Sequence, residues 1–455
     1  MQSSDTIVAL STPPGRSGIG VVRLSGDDSL DYARSLLRDG QFAPEPNRVT
    51  LRTLRDTESD EALDQALVTY FKAPHSFTGE DVIELSCHGS PVILLRVIDA
   101  LLHLGARAAD AGEFTLRALS NGRMNLTQAE AVRDLIDAQT HAAARQAARQ
   151  LGGELSSRIQ PVKDNLIKII VPLESAIEFV EDDLPDVAIE RLGLQLQELA
   201  GNLETLANTF RSGRLLKEGV RVALIGRPNA GKSSLFNRLL SSERAIVTDI
   251  PGTTRDSLSE VVNIEGIPVL LTDTAGMRES NDPIEHLGIE RTRRAVADAD
   301  LVVVVVDGSQ PLGTDDEEIF AELVEAKHII ALNKSDLETF GAARPNGLNR
   351  ALDHVPVSAK TAAGLAELQR AILRPFRAGN EHDEDFLITS ARHFDLLRRA
   401  AEALRSSNDV LRHKSSEDLI LVGLYDALHF LDEITGETTP EDVLSEIFAT
   451  FCIGK

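Results

Sequence analysis

The sequence predicts a multidomain protein: an N-terminal α+β domain, an α-helical domain, and a doubly wound, mostly parallel α/β domain inserted into the helical one. Three observations support this fold class. The chain has 455 residues, and a single hydrophobic core stops growing at roughly 250–300 residues. Its pattern changes from short β-like runs to long helical periodicity, and then to apolar strands that alternate with helices. Helical periodicity returns after that, so an insertion is the simplest arrangement.

The first region, residues 1–118, alternates short β-like runs with turns. Thr6–Leu10, Gly20–Leu24 and Ala66–Phe71 are predicted strands, because apolar and β-branched residues cluster there between Gly- and Pro-rich breakers. Helical periodicity then takes over, and Gln128–Leu151 contains few helix breakers.

The inserted region, residues 216–378, has continuous apolar runs separated by helical segments, which is typical of a parallel sheet covered on both faces. The predicted strands are Arg221–Ile225, Val269–Thr272, Leu301–Val306, His328–Leu332 and Val355–Val357. The flanking residues 119–215 and 379–455 are predicted to be the two parts of one helical domain.

Composition restricts the function classes. The net charge of −24 argues against broad, non-specific nucleic-acid binding, which needs a basic surface. Cys87 and Cys452 are the chain's two cysteines, a usage that predicts a reduced, intracellular protein rather than one built on disulfides. We find no secretory leader and no apolar run that reaches the roughly 20 residues of a membrane span. We therefore expect a cytoplasmic protein with no membrane association.

A glycine-rich loop follows the first strand of the inserted region and leads into a helix. In such a loop the backbone N–H groups wrap phosphate oxygens, and the helix N-terminus adds its positive dipole end. Lys232 would neutralise the β- and γ-phosphates, and Ser233 would offer its hydroxyl oxygen to Mg²⁺.

Three more segments follow strands in a fixed order. Asp273 ends a strand, where its carboxylate would hold the hydration shell of Mg²⁺. In the Asn333–Asp336 segment, Asp336 would accept hydrogen bonds from N1 and the 2-amino group of guanine, and Lys334 would cover the base with its stem. The Ser358–Lys360 segment would present a backbone N–H to the guanine carbonyl oxygen. Together these segments resemble four motifs of Ras-like GTPases, and their order predicts GTP rather than ATP.

A further loop, Thr248–Thr254, lies between the phosphate loop and Asp273. A threonine hydroxyl in such a loop binds Mg²⁺ when the γ-phosphate is present and is released after hydrolysis; Thr253 and Thr254 are both candidates. The complete set of candidate GTP-binding residues is Asn229, Ala230, Gly231, Lys232, Ser233, Ser234, Thr248, Asp249, Ile250, Pro251, Gly252, Thr253, Thr254, Asp273, Thr274, Ala275, Gly276, Asn333, Lys334, Asp336, Ser358, Ala359 and Lys360.

The water-orienting residue of Ras-like GTPases is missing. Met277 stands where Ras has a glutamine, and a thioether cannot position water. Glu279, Asp282 and Glu285 lie in the polar stretch just downstream, and each is a candidate for that task.

The whole chain resembles the MnmE (TrmE) family of tRNA modification GTPases. Besides the central motifs, the resemblance rests on Thr12–Arg16, Phe77–Asp81, Gly112–Thr115 and the C-terminal Cys452–Lys455. It implies that Glu285 activates the water and that Thr254 joins Ser233 at Mg²⁺. It further implies a K⁺ site whose ligands are Asn229, Thr248, Ile250 and Thr253.

The same resemblance implies that the N-terminal domain binds a tetrahydrofolate derivative (5-formyl- or methylene-tetrahydrofolate) and forms a homodimer. The implied folate contacts are Arg23, Glu84, Arg123 and Lys455; lysine is expected at position 123, so Arg123 is a departure that changes donor geometry. Cys452 is a candidate catalytic residue. The implied partners are tRNA and the FAD protein MnmG (GidA), in a heterotetramer or larger complex that installs an aminomethyl or carboxymethylaminomethyl group at C5 of the wobble uridine.

The alternative is a regulatory GTPase of the Era or Der kind that acts in ribosome assembly. Such proteins share the central motifs but carry KH-type RNA-binding ends. This sequence has no evident Gly-x-x-Gly loop with basic flanks, so we favour the tRNA-modifying enzyme.

Overall fold

The computed structural model describes residues 5–178, 186–242, 259–273, 295–323, 326–341, 350–377, 386–413 and 417–454. The strands are β1 (Ile7–Leu10), β2 (Ile19–Ser25), β3 (Val49–Arg55), β4 (Ala62–Phe71), β5 (Val82–His88), β6 (Arg107–Ala108), β7 (Val220–Ile225), β8 (Ser259–Ile264), β9 (Ile267–Asp273), β10 (Leu301–Asp307), β11 (His328–Asn333) and β12 (His354–Pro356). The helices are α1 (Ser29–Leu37), α2 (Pro91–His103), α3 (Glu113–Ser120), α4 (Leu126–Asp137), α5 (His141–Leu151), α6 (Glu154–Glu178), α7 (Asp186–Asn208), α8 (Phe210–Glu218), α9 (Lys232–Ser242), α10 (Thr314–Glu322), α11 (Leu365–Leu373), α12 (Ala391–Arg412), α13 (Glu417–Thr435) and α14 (Glu441–Ala449).

The chain divides into two compact units. The first comprises Met1–Arg133, Gln150–Pro172 and Tyr425–Lys455, and the second comprises Asp134–Arg149 and Leu173–Leu424.

The first unit contains a six-stranded sheet in the order β3-β4-β5-β2-β1-β6. Its strand pairs are antiparallel except for β1 with β6. Side chains alternate between the two faces of a strand, so Leu24 of β2 and Leu85 of β5 are buried in the core. Arg23 and Glu84 therefore lie on the opposite face, and the register of β2 and β5 places them directly across from each other.

The C-terminal segment returns to the first unit. In α14 and just beyond it, Phe448 and Phe451 are buried against Leu126 and Ala129 of α4. Beyond the helix, Ile453 forms an antiparallel bridge with Ala111. The last described residues are thereby held against the N-terminal sheet.

The second unit contains a six-stranded sheet in the order β12-β11-β10-β7-β9-β8. All its strand pairs are parallel except the β8–β9 hairpin. Helices α9 and α11 bury side chains on one face, and α10 buries Phe320 on the other. The doubly wound sheet predicted from the sequence is confirmed, and the carboxyl ends of β7, β9, β10, β11 and β12 share one edge.

The two helical regions that flank this sheet in sequence pack together through α7 and α12. Arg405 of α12 forms an ion pair with Glu204 of α7, and Phe210 stacks on Phe394 with ring centroids 4.7 Å apart. Within the described ranges, every helix is too short or too polar to cross a lipid bilayer.

Candidate functional sites

The glycine-rich loop after β7 depends on glycine at two positions. Gly226 has φ +151°, and a Cβ there would lie 2.2 Å from the carbonyl oxygen of Val305. Gly231 has φ +96°, and its Cβ would lie 2.2 Å from Nδ2 of Asn333. Asn229 is also left-handed, at φ +62°, a conformation that asparagine tolerates better than most residues. The loop therefore passes too close to its neighbours for any side chain at Gly226 or Gly231.

Lys232 and Ser233 open α9, at the point where the helix dipole favours anions. Nζ of the buried Lys232 donates to the carbonyl oxygens of Gly226 (2.8 Å) and Arg227 (2.9 Å), which curl the loop around the ammonium. Oγ of Ser233 donates to Oδ2 of Asp273 at 2.9 Å. The hydroxyl and carboxylate oxygens expected at a magnesium site thus lie side by side, and hard oxygen donors are what Mg²⁺ prefers.

The Asn333 side chain connects three loops. Its Nδ2 donates to the carbonyl oxygen of Ala230 at 2.8 Å, and its Oδ1 accepts from the N–H of Ala359 at 3.1 Å. Oγ of Ser358 donates to Oδ1 of Asp336 at 2.6 Å. That hydrogen bond lowers the pKa of Asp336 below its ordinary value, so the carboxylate is ionised and able to accept from a guanine edge.

Lys334 is held by a partner that the sequence did not reveal. Its Nζ lies 2.6 Å from Oδ2 of the buried Asp307 at the end of β10, and its φ is +66°. Burial raises the pKa of Asp307, but the hydrogen bonds from Lys334 and Ser309 outweigh it, so the pKa lies below the ordinary value. The sequence signal that could have identified Asp307 is its position, because it ends a strand at the same sheet edge as Asp273.

Several candidate residues lie outside the described residues: Thr248, Asp249, Ile250, Pro251, Gly252, Thr253, Thr254, Thr274, Ala275, Gly276, Glu285 and Lys455. Their roles stay predictions. Among those described, the phosphate loop, Asp273 and the segments at Asn333 and Ser358 come together at one edge of the sheet.

A second candidate site lies on the outer face of the N-terminal sheet. Nε of Arg23 donates to Oε1 of Glu84 at 2.9 Å, and Nη1 donates to the carbonyl oxygen of Gly454 at 3.2 Å. The guanidinium also lies 5.9 Å from the ring centroid of Phe77 and 5.7 Å from that of Phe114. Residues from both ends of the chain therefore meet at Arg23, in a setting that combines a charge pair with aromatic faces.

Arg123 and Cys452 contact residues next to those of this cluster. Nε of Arg123 donates to the carbonyl oxygen of Ser76, next to Phe77, at 3.1 Å. The carbonyl oxygen of Cys452 accepts from the N–H of Gly112 at 3.4 Å. The thiol of Cys452 is exposed, whereas burial raises the pKa of the Cys87 thiol to about 12 and leaves it inert at neutral pH.

Two N-terminal motifs are explained by the buried Arg117. Its guanidinium pairs with Glu113 (2.9 Å), Asp5 (2.8 Å) and Glu80 (3.2 Å). Glu80 also accepts from Oγ of Ser25 at 2.7 Å. Glu80 of Phe77–Asp81 and Glu113 of Gly112–Thr115 are thus held in one ion cluster, which positions the loop that carries Phe77.

Comparison with known proteins shows the family of the chain. A family model described as the MnmE helical domain matches residues 126–452, and one described as the GTP-binding protein TrmE N-terminus matches residues 6–123. The chain is 46% identical over 458 residues to the tRNA modification GTPase MnmE of Koribacter versatilis, covering 100% of both chains. It is 43% identical to the protein of the same name from Aquifex aeolicus, covering 99% of this chain and 100% of the relative. Among solved structures, the G domain of the T. maritima FeoB iron transporter is 27% identical, covers 35% of this chain and 99% of its own, and has a TM-score of 0.27.

Proposed function

The chain belongs to the MnmE family of tRNA modification GTPases, and from that premise we propose that it is a K⁺-stimulated GTPase that modifies the tRNA wobble uridine in the cytoplasm. With the FAD protein MnmG, it installs the aminomethyl or carboxymethylaminomethyl group at C5. GTP hydrolysis drives dimerisation of the G domains and the accompanying conformational change. The family match over both N-terminal and helical regions favours this function over a role in ribosome assembly.

The arrangement around Asn333 is the observation that carries the nucleotide part of this proposal. One side chain joins the phosphate loop at Ala230 to the base segment at Ala359, and Asp336 is held by Ser358. A carboxylate at that place accepts from N1 and the 2-amino group of guanine, which adenine does not offer. The site therefore selects GTP over ATP.

Lys232 and Ser233 are proposed to bind the phosphates and Mg²⁺. On binding, Nζ of Lys232 exchanges its carbonyl partners at Gly226 and Arg227 for β- and γ-phosphate oxygens. Oγ of Ser233 and the Thr254 hydroxyl serve as Mg²⁺ ligands, and Asp273 holds the hydration shell. Mg²⁺ held by these residues would neutralise charge that develops on the transferred phosphoryl group.

The K⁺ site is proposed at Asn229 with the carbonyls of Thr248, Ile250 and Thr253. Asn229 is exposed in the phosphate loop, and its backbone is left-handed. A cation beside the phosphates supplies the charge that an arginine finger provides in other GTPases. We expect GTP turnover to rise strongly when Na⁺ is replaced by K⁺ at constant ionic strength, and Asn229→Ala to lose the difference. Equal wild-type rates in both salts would contradict the assignment.

Glu285 is proposed to orient the attacking water, since Met277 cannot. Glu285→Ala should remove most hydrolysis in a single-turnover assay while GTP affinity stays near the wild-type value. The matched controls are Glu279→Ala and Asp282→Ala in the same stretch. If either control loses as much activity as Glu285→Ala, the water is not assigned to Glu285 alone.

The N-terminal domain is proposed to bind a tetrahydrofolate derivative and to dimerise the chain. Glu84 pairs with the guanidine-like edge of the pterin, while Arg23, Arg123 and Lys455 meet its carboxylates; Cys452 is proposed to act in the modification. Titration with 5-formyltetrahydrofolate should show binding that Arg23→Ala and Glu84→Ala weaken. The control is Arg48→Ala, which should leave the affinity unchanged, because the Arg48 side chain is 71% exposed and pairs with Glu45. A wild-type protein that does not bind the folate would sink this assignment.

The proposed domain limits are residues 1–118 for the folate domain, 119–215 and 379–455 for the helical domain, and 216–378 for the G domain. Cellular function is tested by nucleoside analysis of tRNA from cells that lack this protein. Loss of the modified wobble uridine, restored by the wild-type gene and not by Lys232→Ala, is the expected result. Unchanged tRNA nucleosides would exclude the proposed role.

A further inference from the structure

Arg238 lies outside every motif considered above, yet its guanidinium reaches the base-binding side of the nucleotide site. It is carried by α9, six residues after Lys232, which is about 9 Å along the helix at 1.5 Å per residue. Nε donates to the carbonyl oxygen of Ala359 at 3.1 Å, and Nη2 donates to that of Lys360 at 2.7 Å. One side chain therefore fixes two successive peptide groups of the Ser358–Lys360 segment.

Fixing a carbonyl also fixes the N–H that follows it. A trans peptide is planar, so its C=O and N–H point in opposite directions. Because the Ala359 carbonyl points at Arg238, the N–H of Lys360 points away from α9. The neighbouring N–H groups are engaged within the site, Ala359 with Oδ1 of Asn333 and Thr361 with Oγ of Ser358, each at 3.1 Å. The direction of the Lys360 N–H is thus set by Arg238.

We infer that Arg238 is a positioning residue that gives the base site its selectivity for the 6-oxo group of guanine. It holds the Ala359–Lys360 peptide so that a backbone N–H, rather than a carbonyl oxygen, faces that acceptor. The inference rests on the guanine site proposed above. It also links the two halves of the site, because the helix that begins with the phosphate-binding lysine anchors the loop that recognises the base.

The guanidinium matters here for its shape as well as its charge. Carbonyl oxygens of adjacent residues are matched by the planar fork of arginine, whose Nε and Nη2 donors have a fixed separation. A lysine offers a single ammonium on a flexible stem, so it holds one carbonyl at a time. Arg238→Lys therefore removes the fork while keeping the charge and most of the stem.

The test compares GTP with 6-thio-GTP, which keeps N1–H and the 2-amino group but replaces the 6-oxo oxygen with sulfur, a weaker acceptor. Dissociation constants for GTP, 6-thio-GTP and ATP are measured with Mg²⁺ on the full chain for wild type, Arg238→Lys and Arg238→Ala. We expect wild type to prefer GTP. In both variants GTP affinity should fall about tenfold, equivalent to about 1.4 kcal/mol, while 6-thio-GTP affinity stays near its wild-type value.

The matched control is Arg370→Lys, since Arg370 lies on α11 of the same unit and bonds only within its own helix among the described contacts. Thermal unfolding without nucleotide shows whether the variants fold as wild type does. If the affinities for GTP and 6-thio-GTP fall equally, the role of Arg238 is merely structural. If GTP affinity is unchanged, Arg238 does not act on the base site. Either result overturns the inference. If wild type fails to prefer GTP over ATP, the proposed guanine site itself is wrong.

Discussion

The ion cluster around Arg117 permits a quantitative test of what holds the N-terminal domain together. We consider Arg117→Met, which keeps the length of the buried stem and removes the charge. The Arg117 side chain is 8% exposed, and it pairs with Glu113 (11% exposed) and Glu80 (19% exposed). Its third partner, Asp5, is 40% exposed and keeps Arg107 as a partner once the Arg117 guanidinium is gone.

The expected loss of folding stability follows from the carboxylates that remain after Arg117 is replaced. Removing one partner of a buried ion pair costs about 3–5 kcal/mol, because it leaves an uncompensated buried charge. Glu113 keeps Arg107 as a partner, which places the loss at the lower end, about 3 kcal/mol. The variant should therefore destabilise the N-terminal sheet strongly without unfolding the second unit.

Arg107→Met is the matched control, because Arg107 pairs with the same Asp5 and Glu113 but is 42% exposed. Exposed pairs contribute about 0.2–1 kcal/mol each, so its loss should be several-fold smaller. Amide hydrogen exchange of β2 and β5 measures both losses, since a multidomain chain does not melt in one two-state step. Equal losses in the two variants would refute the argument from burial.

The same cluster predicts a pH dependence with a defined sign. The hydrogen bond from Arg107 lowers the pKa of Asp5 below its ordinary 3.8. Burial raises the pKa of Glu113, but hydrogen bonds from Arg107, the Asp110 N–H and Arg117 hold it below its ordinary 4.5. Carboxyls with lowered pKa stabilise the fold above their unfolded pKa and lose that contribution as pH falls through the folded one. The stability gap between wild type and Arg117→Met should therefore be constant near pH 7 and shrink below about pH 4.5.

Three further substitutions test single contacts. Asp307→Asn should weaken GDP and GTP binding by a similar factor, about tenfold, because it releases Lys334; unequal factors in a fluorescence titration would place Asp307 at the phosphates instead. Gly454→Ala should weaken 5-formyltetrahydrofolate binding, since its φ is +93° and a Cβ would lie 2.3 Å from the Leu10 carbonyl oxygen; unchanged affinity would separate the C-terminus from that site. Lys163→Met should speed hydrogen exchange in the end of α13, where Lys163 pairs with Asp432 at 2.6 Å, and unaltered exchange would show that this pair is not needed.

The sequence predicted the central strands well because they are continuous apolar runs, and it missed strands with mixed exposure. β3 is an edge strand on which Val49 and Leu51 are each 59% exposed while Leu54 is buried, so no clean alternation was visible.

Helical periodicity over Gln128–Leu151 concealed a break between α4 and α5. Oγ1 of Thr140 accepts from the Ala143 N–H (3.1 Å) and donates to the Gly266 carbonyl (2.8 Å). That break depends on a contact across more than a hundred residues, which local patterns do not report.

The residues of the nucleotide site also divide into those that the sequence predicted and those that it missed. Its motif residues could be predicted because the motifs follow strand ends in a fixed order along the chain. Asp307 and Arg238 bond other protein groups, and their partners Lys334 and Ala359 come from distant segments. Residues that hold a motif in position carry no spacing signal of their own, so they become visible only in three dimensions.

The C-terminal residues show how such positioning extends to the second site. A helix continued through Phe451 would place Cys452 at its end. Instead α14 ends at Ala449, and the chain turns so that the carbonyl of Cys452 meets Gly112 and that of Gly454 meets Arg23. Cys452, with its exposed thiol, lies two residues before the carbonyl that Arg23 contacts. A helix continued through this segment would lose the backbone contacts of both Cys452 and Gly454. The short final helix is therefore what makes the C-terminus part of the N-terminal site.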